Sequence, residues 1–93
     1  MQTVEHAYVG GYKDTPVTPE IIRYFHECLP DINAKLGTKW TYMIILACWS
    51  QVVAGTNYKG YVAGDGYDCA HVVIFKPLGD GKPEVKEAFK VMD

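Results

Sequence analysis

The chain has 93 residues, nine basic and eleven acidic, a formal charge of −2 with no basic patch to hold nucleic acid. That length makes one domain, residues 1–93, and 48% apolar against 22% charged residues is the balance of a globular core. The longest apolar run, Tyr42 to Trp49, is far short of the roughly 20 residues that span a bilayer, so no membrane partner is expected.

Cys28, Cys48 and Cys69 are an odd set without the dense spacing of a stapled secreted domain, which argues for free thiols in a reducing compartment. The first residues carry neither a basic stretch nor an apolar one that would read as a signal peptide, and a cytoplasmic setting is expected. Residues 1–17 read as an extended, mobile leader with Gly10 and Gly11 in tandem and one apolar pair, Tyr8-Val9, before them. A frayed terminus is one reading of it; a short binding strand on a glycine elbow is the other.

Thr18-Pro19-Glu20 starts a helix: Thr18 caps, proline suits the first position, and the carboxylate suits the positive end of the dipole. Ile21, Phe25, Leu29, Ile32 and Leu36 follow at steps of four, four, three and four, one apolar stripe that Ile22, Tyr24 and Cys28 widen. Gly37 is the C-terminal stop. Pro30 interrupts the pattern, at about 3 kcal/mol in a helix interior. The stripe keeps its phase across it, so a kinked helix is expected rather than two.

Lys39 to Ser50 reads as a central strand. Alternation puts Tyr42, Ile44, Leu46 and Cys48 on one face and Met43, Ile45, Ala47 and Trp49 on the other. One face takes the helix stripe. The other is apolar for a face left in water, which hints at self-association. Thr56 to Ala63 is the partner strand, Gly64-Asp65-Gly66 the next turn, and Tyr67 to Lys76 a further strand that Pro77 ends. Leu78 then stands alone in the loop Leu78-Gly79-Asp80-Gly81-Lys82-Pro83. In Glu84 to Asp93, Val85, Ala88, Phe89 and Met92 fit a helix, while Val85, Phe89 and Val91 fit a strand.

Between the two central strands lies Gln51-Val52-Val53-Ala54-Gly55. Hairpin tips are ordinarily polar, yet Val52, Val53 and Ala54 stand where the chain must reverse, and Gly55 can supply a positive φ. Such a tip is a liability in water unless something else buries it. Alternatively, Val52 and Val53 continue a core strand and the turn falls elsewhere.

These five residues resemble the Gln-x-Val-x-Gly signature of the cystatins, protein inhibitors of papain-like cysteine proteases, and Thr56-Asn57-Tyr58 resembles the stefin (type 1) branch in particular. The resemblance runs from about Gly10 to Pro83. It implies an α+β fold, a single helix packed across a twisted antiparallel sheet of four to five strands, with the last segment a strand. It also implies reversible, tight-binding inhibition through three contacts. These are the leader at Val9, Gly10 and Gly11, the tip at Gln51, Val52, Val53, Ala54 and Gly55, and the second loop at Leu78 and Gly79. The tip would sit near the protease's thiol without offering a carbonyl for attack. Cathepsin-type proteases are the implied partners. The second loop lacks the tryptophan of secreted cystatins.

Other chemistry has less support. Cys69 and His71 share a strand face, but no oxyanion turn or orienting group accompanies them, and a buried thiol beside a strand histidine is the plainer reading, so an enzyme is not expected. No Cys-x-x-Cys, paired histidine or phosphate loop is present, so neither a metal nor another cofactor is expected. The remaining alternative is a cystatin-fold binding or self-associating protein. A glycine-closed hinge between two long strands is a route from monomer to domain-swapped dimer.

Overall fold

The computed structural model describes residues 11–91. Strand β1 is Lys13–Asp14, helix α1 Pro19–Glu27, helix α2 Leu29–Leu36, and strands β2 to β5 are Met43–Val53, Gly55–Gly64, Cys69–Lys76 and Glu84–Lys90. The five strands form one antiparallel sheet in sequence order, and the helices pack on one face of it. Glu84–Lys90 thus forms a strand, as the resemblance implies; Met92 lies outside the described residues.

Thr18 caps α1 by accepting from the Ile21 amide at 3.2 Å, and Ile21, Tyr24, Phe25 and Ile32 are buried. Ile22 instead faces outward, because the sheet covers only one side of the helix. The expected single kinked helix is two helices. The chain breaks at Cys28, which has φ −91° and ψ −1°, so Pro30 falls in the first turn of α2. A missing N–H costs nothing there, since first-turn donors have no intrahelical partner.

Two glycines let the layers close. A Cβ at Gly60 would lie 2.8 Å from the Phe25 ring, and one at Gly64 would lie 2.0 Å from the Trp40 ring. Phe25, Ile32, Val62, Val72 and Ile74 form the dry centre. Burying each such side chain contributes about 1.5–3 kcal/mol.

The face assignment of β2 changes at a bulge. Ile45 pairs with Val62 and Ala47 with Tyr61, leaving Leu46 as the extra residue. Before it Met43 faces the core and Ile44 faces out; after it Cys48 and Ser50 face the core. Cys48 therefore does not share a face with Ile44 and Leu46. The outer face is apolar, as expected: Ile44, Leu46 and Phe89 are exposed, and His71 stacks between Tyr61 and Phe89 with centroids at 5.2 and 5.5 Å.

The turn after β3 is a short 3-10 segment, Asp65–Tyr67, and β4 begins at Cys69 rather than Tyr67. The Asp65 carboxylate accepts from the Thr41 amide and hydroxyl and from the Tyr42 amide, at 2.7–3.1 Å. Those bonds, with the Thr41 hydroxyl foremost, hold it below the usual carboxylate range.

Candidate binding site

Register brings the candidate residues together. Val53 pairs with Gly55, so Ala54 alone makes the reversal between β2 and β3: Val52 and Val53 continue the strand instead of forming the turn, although they face solvent and not the core. Thr56 pairs with Lys76, which places the tip beside the loop after β4. Lys13 pairs with Ser50, so β1 joins the sheet at this same end, and Thr15 is tied there by its hydroxyl to Ser50 at 2.7 Å. The last part of the expected leader is therefore a sheet strand.

The tip shows its valines to solvent. Val52 is 75% exposed and Val53 49% exposed. The strand ladder continues to the turn and stretches both residues outward. Gly55 is buried with φ +118°, and a Cβ there would meet the Lys76 carbonyl oxygen at 2.7 Å and the Phe75 ring at 2.8 Å. Both its backbone angle and its surroundings call for glycine. Gln51 lies just inside the tip and accepts from Asn57 Nδ2 at 2.8 Å, a side-chain bridge across the two strands.

In the second loop Leu78 is 75% exposed and Gly79 has φ +72°. The Lys76 ammonium donates to the carbonyls of Pro77 and Gly79, each at 2.9 Å. Gly11 is exposed, while Val9 and Gly10 lie outside the described residues. Of the expected site, then, Gln51 to Gly55 come together with Leu78 and Gly79. Lys76, Asn57 and Phe75 support these loops; Asn57 figured only in the stefin-like Thr56-Asn57-Tyr58, and no role was expected of Lys76 or Phe75. A lysine before a proline at a strand end was the one available sign, and a weak one.

The thiols and histidines take other roles. Burial pushes the Cys28 thiol up to about 11, helped by Asp31, Glu27 and Glu84, and pushes Cys48 up to about 11 against a bond to the Trp49 backbone. Cys69, expected to be a buried thiol, is only half-buried, because it opens β4 next to the exposed Tyr67; its Sγ lies 3.9 Å from the Tyr67 carbonyl, while the ring of His71 is taken up by its aromatic neighbours. Among the described residues no group of three or more His, Cys, Asp or Glu could hold a metal ion. Nor is any described helix long and apolar enough to cross a membrane.

Comparison with known proteins agrees with this architecture. No family profile matches the chain. Cystatin-A8 of Sus scrofa is 32% identical over 91 residues, covering 95% of this chain and 82% of the relative. Leukocyte cysteine proteinase inhibitor 1 of Sus scrofa is 34% identical over 77 residues, covering 80% and 73%. Among solved structures, the secreted type 1 cystatin from Fasciola hepatica superposes with a TM-score of 0.65 at 35% identity, over 89% of this chain and 97% of that one. The chain belongs to the cystatins, a family of cysteine protease inhibitors, and is stefin-like within it.

Proposed function

We propose that the chain is a reversible, tight-binding inhibitor of papain-like, cathepsin-type cysteine proteases and catalyses no reaction itself. The observation that carries this reading is the gathering of Val52, Val53 and Leu78, all solvent-exposed, at one end of the sheet. Three such side chains fit a cleft between apolar walls and exclude the water that the protease would use. The resemblance adds Val9, Gly10 and Gly11 of the leader as a third contact. Binding would need no broken bond, since on this reading the tip sits near the protease thiol without offering a carbonyl for attack. A tip already held by the strand ladder and by the Gln51–Asn57 bridge loses little conformational entropy on docking.

The test is titration of active-site-counted papain with the purified protein, with and without residues 1–11. Stoichiometric, reversible loss of activity is expected, with a faster off-rate for the truncated form. A folded monomer that fails to inhibit at micromolar concentration overturns the reading. We place the protein in the cytoplasm on the strength of its free thiols, a point for cell fractionation, since the Fasciola hepatica relative is a secreted one.

A second reading, self-association, has its own observation. Among the described residues, Lys13 and Asp14 pair with Ser50 and Trp49 alone, and the Met43 end of β2 carries exposed Ile44 and Leu46. Unpaired edges of this kind recruit other strands. A domain-swapped dimer, opened at the tip, would elute ahead of monomer on size exclusion and would not inhibit.

A further inference from the structure

One residue touches both loops. The main chain of Lys76 packs against the tip: its carbonyl oxygen occupies the space that a side chain at position 55 would need, and its Cα partner in the ladder is Thr56. Its side chain turns the other way. The ammonium donates to the carbonyls on either side of Leu78, those of Pro77 and Gly79, at 2.9 Å each. It also stands 5.5 Å from the centre of the Tyr24 ring of α1, which itself stacks on Tyr58 of β3 at 6.0 Å and under the Arg23 guanidinium at 5.2 Å.

This arrangement has a direct consequence for the loop. Pro77 cannot donate to a strand ladder, and Gly79 has the freedom of a positive φ, so Leu78-Gly79-Asp80 has little regular structure of its own. Two charge-assisted hydrogen bonds to one ammonium close the chain around a fixed point. With both flanking carbonyls turned in toward the nitrogen, the Leu78 side chain is turned out.

We propose that Lys76 is the positioning residue of the binding end, locking the second loop in register with the tip so that Leu78 and the Val52–Val53 pair are presented as one rigid surface. The proposal rests on the inhibitor reading for its effect on affinity. It identifies the second loop's contact as conditional: Leu78 contributes only while the ammonium holds the carbonyls beside it.

The test is a double-mutant cycle between Lys76→Met and Leu78→Ala, read as papain inhibition constant, off-rate and thermal midpoint. Methionine keeps the stem over Tyr24 and removes the donors. Lys76→Met is expected to raise the inhibition constant about tenfold, through the off-rate, with the thermal midpoint nearly unchanged. Adding Leu78→Ala to Lys76→Met should then change little, although Leu78→Ala alone weakens binding. Lys76→Arg, which keeps donors at the end of a long stem, should stay close to wild type. Lys76→Gln, too short to reach both carbonyls, serves if the methionine variant does not fold. Full potency of Lys76→Met, or effects of the two substitutions that simply multiply, overturns the proposal.

Amide exchange of residues 78–81 in the free protein gives a readout without protease. Exchange should accelerate in Lys76→Met and be restored in Lys76→Arg; equal exchange in all three forms overturns the lock. If the wild type fails to inhibit papain while this exchange pattern holds, the inhibitor reading falls and the lock stands.

Discussion

The tip and the second loop expose an apolar residue to the same degree by different physics. Val52 is stretched outward by a strand ladder that runs to the turn, and the turn is possible because Gly55 fits where no side chain does. Leu78 has no ladder beneath it and is turned outward by hydrogen bonds to a single ammonium. The first solution is made of backbone and sterics and cannot be adjusted piecemeal. The second depends on one side chain and can be loosened without touching the sheet. On the proposed function, an inhibitor built this way would have one contact that is always formed and one that can be tuned.

The same substitution at two glycines breaks this comparison most directly. Gly55→Ala meets both a positive φ and atoms at 2.7–2.8 Å, whereas Gly79→Ala meets a positive φ with nothing within 4 Å. We expect a loss of about 2–4 kcal/mol of stability at position 55, from overpacking plus strain, measured by urea unfolding. At position 79 the loss should be about 1 kcal/mol, from backbone conformation alone. Equal losses would mean that Phe75 gives way freely and the tip is not sterically defined.

A pH series contrasts the end of the sheet that carries the tip and second loop with the far end. The Asp65 carboxyl titrates below its ordinary value when folded, so it favours the folded state above the usual carboxylate range. That contribution is lost as pH falls through its folded value. The thermal midpoints of wild type and Asp65→Asn should therefore differ most near neutrality and converge on acidification. Their papain inhibition at neutral pH should match, because Asp65 lies across the sheet from the loops; a gap that widens in acid would reverse the sign assigned here.

The smallest effect belongs to the thiols. At pH 8, iodoacetamide should modify Cys69 in the native protein and spare Cys28 and Cys48, which are buried and held protonated up to about 11. Mass spectrometry should find one adduct and unchanged inhibition. Two or three adducts on folded protein would show that the core opens on the labelling timescale.

Much of this was legible in the residues themselves. The helix start at Thr18, the apolar stripe apart from Ile22, and the strand end at Pro77 are local signals, and each reads as expected. The tip was legible because Val52 and Val53 stand where polar residues are usual, and because the motif around them is distinctive. What escaped is what depends on partners distant in the chain. No pattern in Met43 to Ser50 shows that Leu46 is the bulge, because that follows from the register against Tyr61 and Val62. A continuous stripe across Pro30 hid the break at Cys28, since both arrangements keep the same face inward. The need for glycine at position 55 comes from Lys76 and Phe75, distant in the chain, and the hold on Leu78 comes from that same lysine, which local sequence marks only weakly as a lysine before a proline at a strand end.

The outward stance of Val52, Val53 and Leu78 also matters to anyone wishing to redesign the molecule. None of the three contributes to the dry centre, so each can be varied in a library while the scaffold remains folded. Gln51, Gly55, Asn57 and Lys76 would be held constant as the frame. Selectivity among targets could then be selected for almost independently of melting temperature, a separation that proteins with binding residues drawn from their own core do not permit.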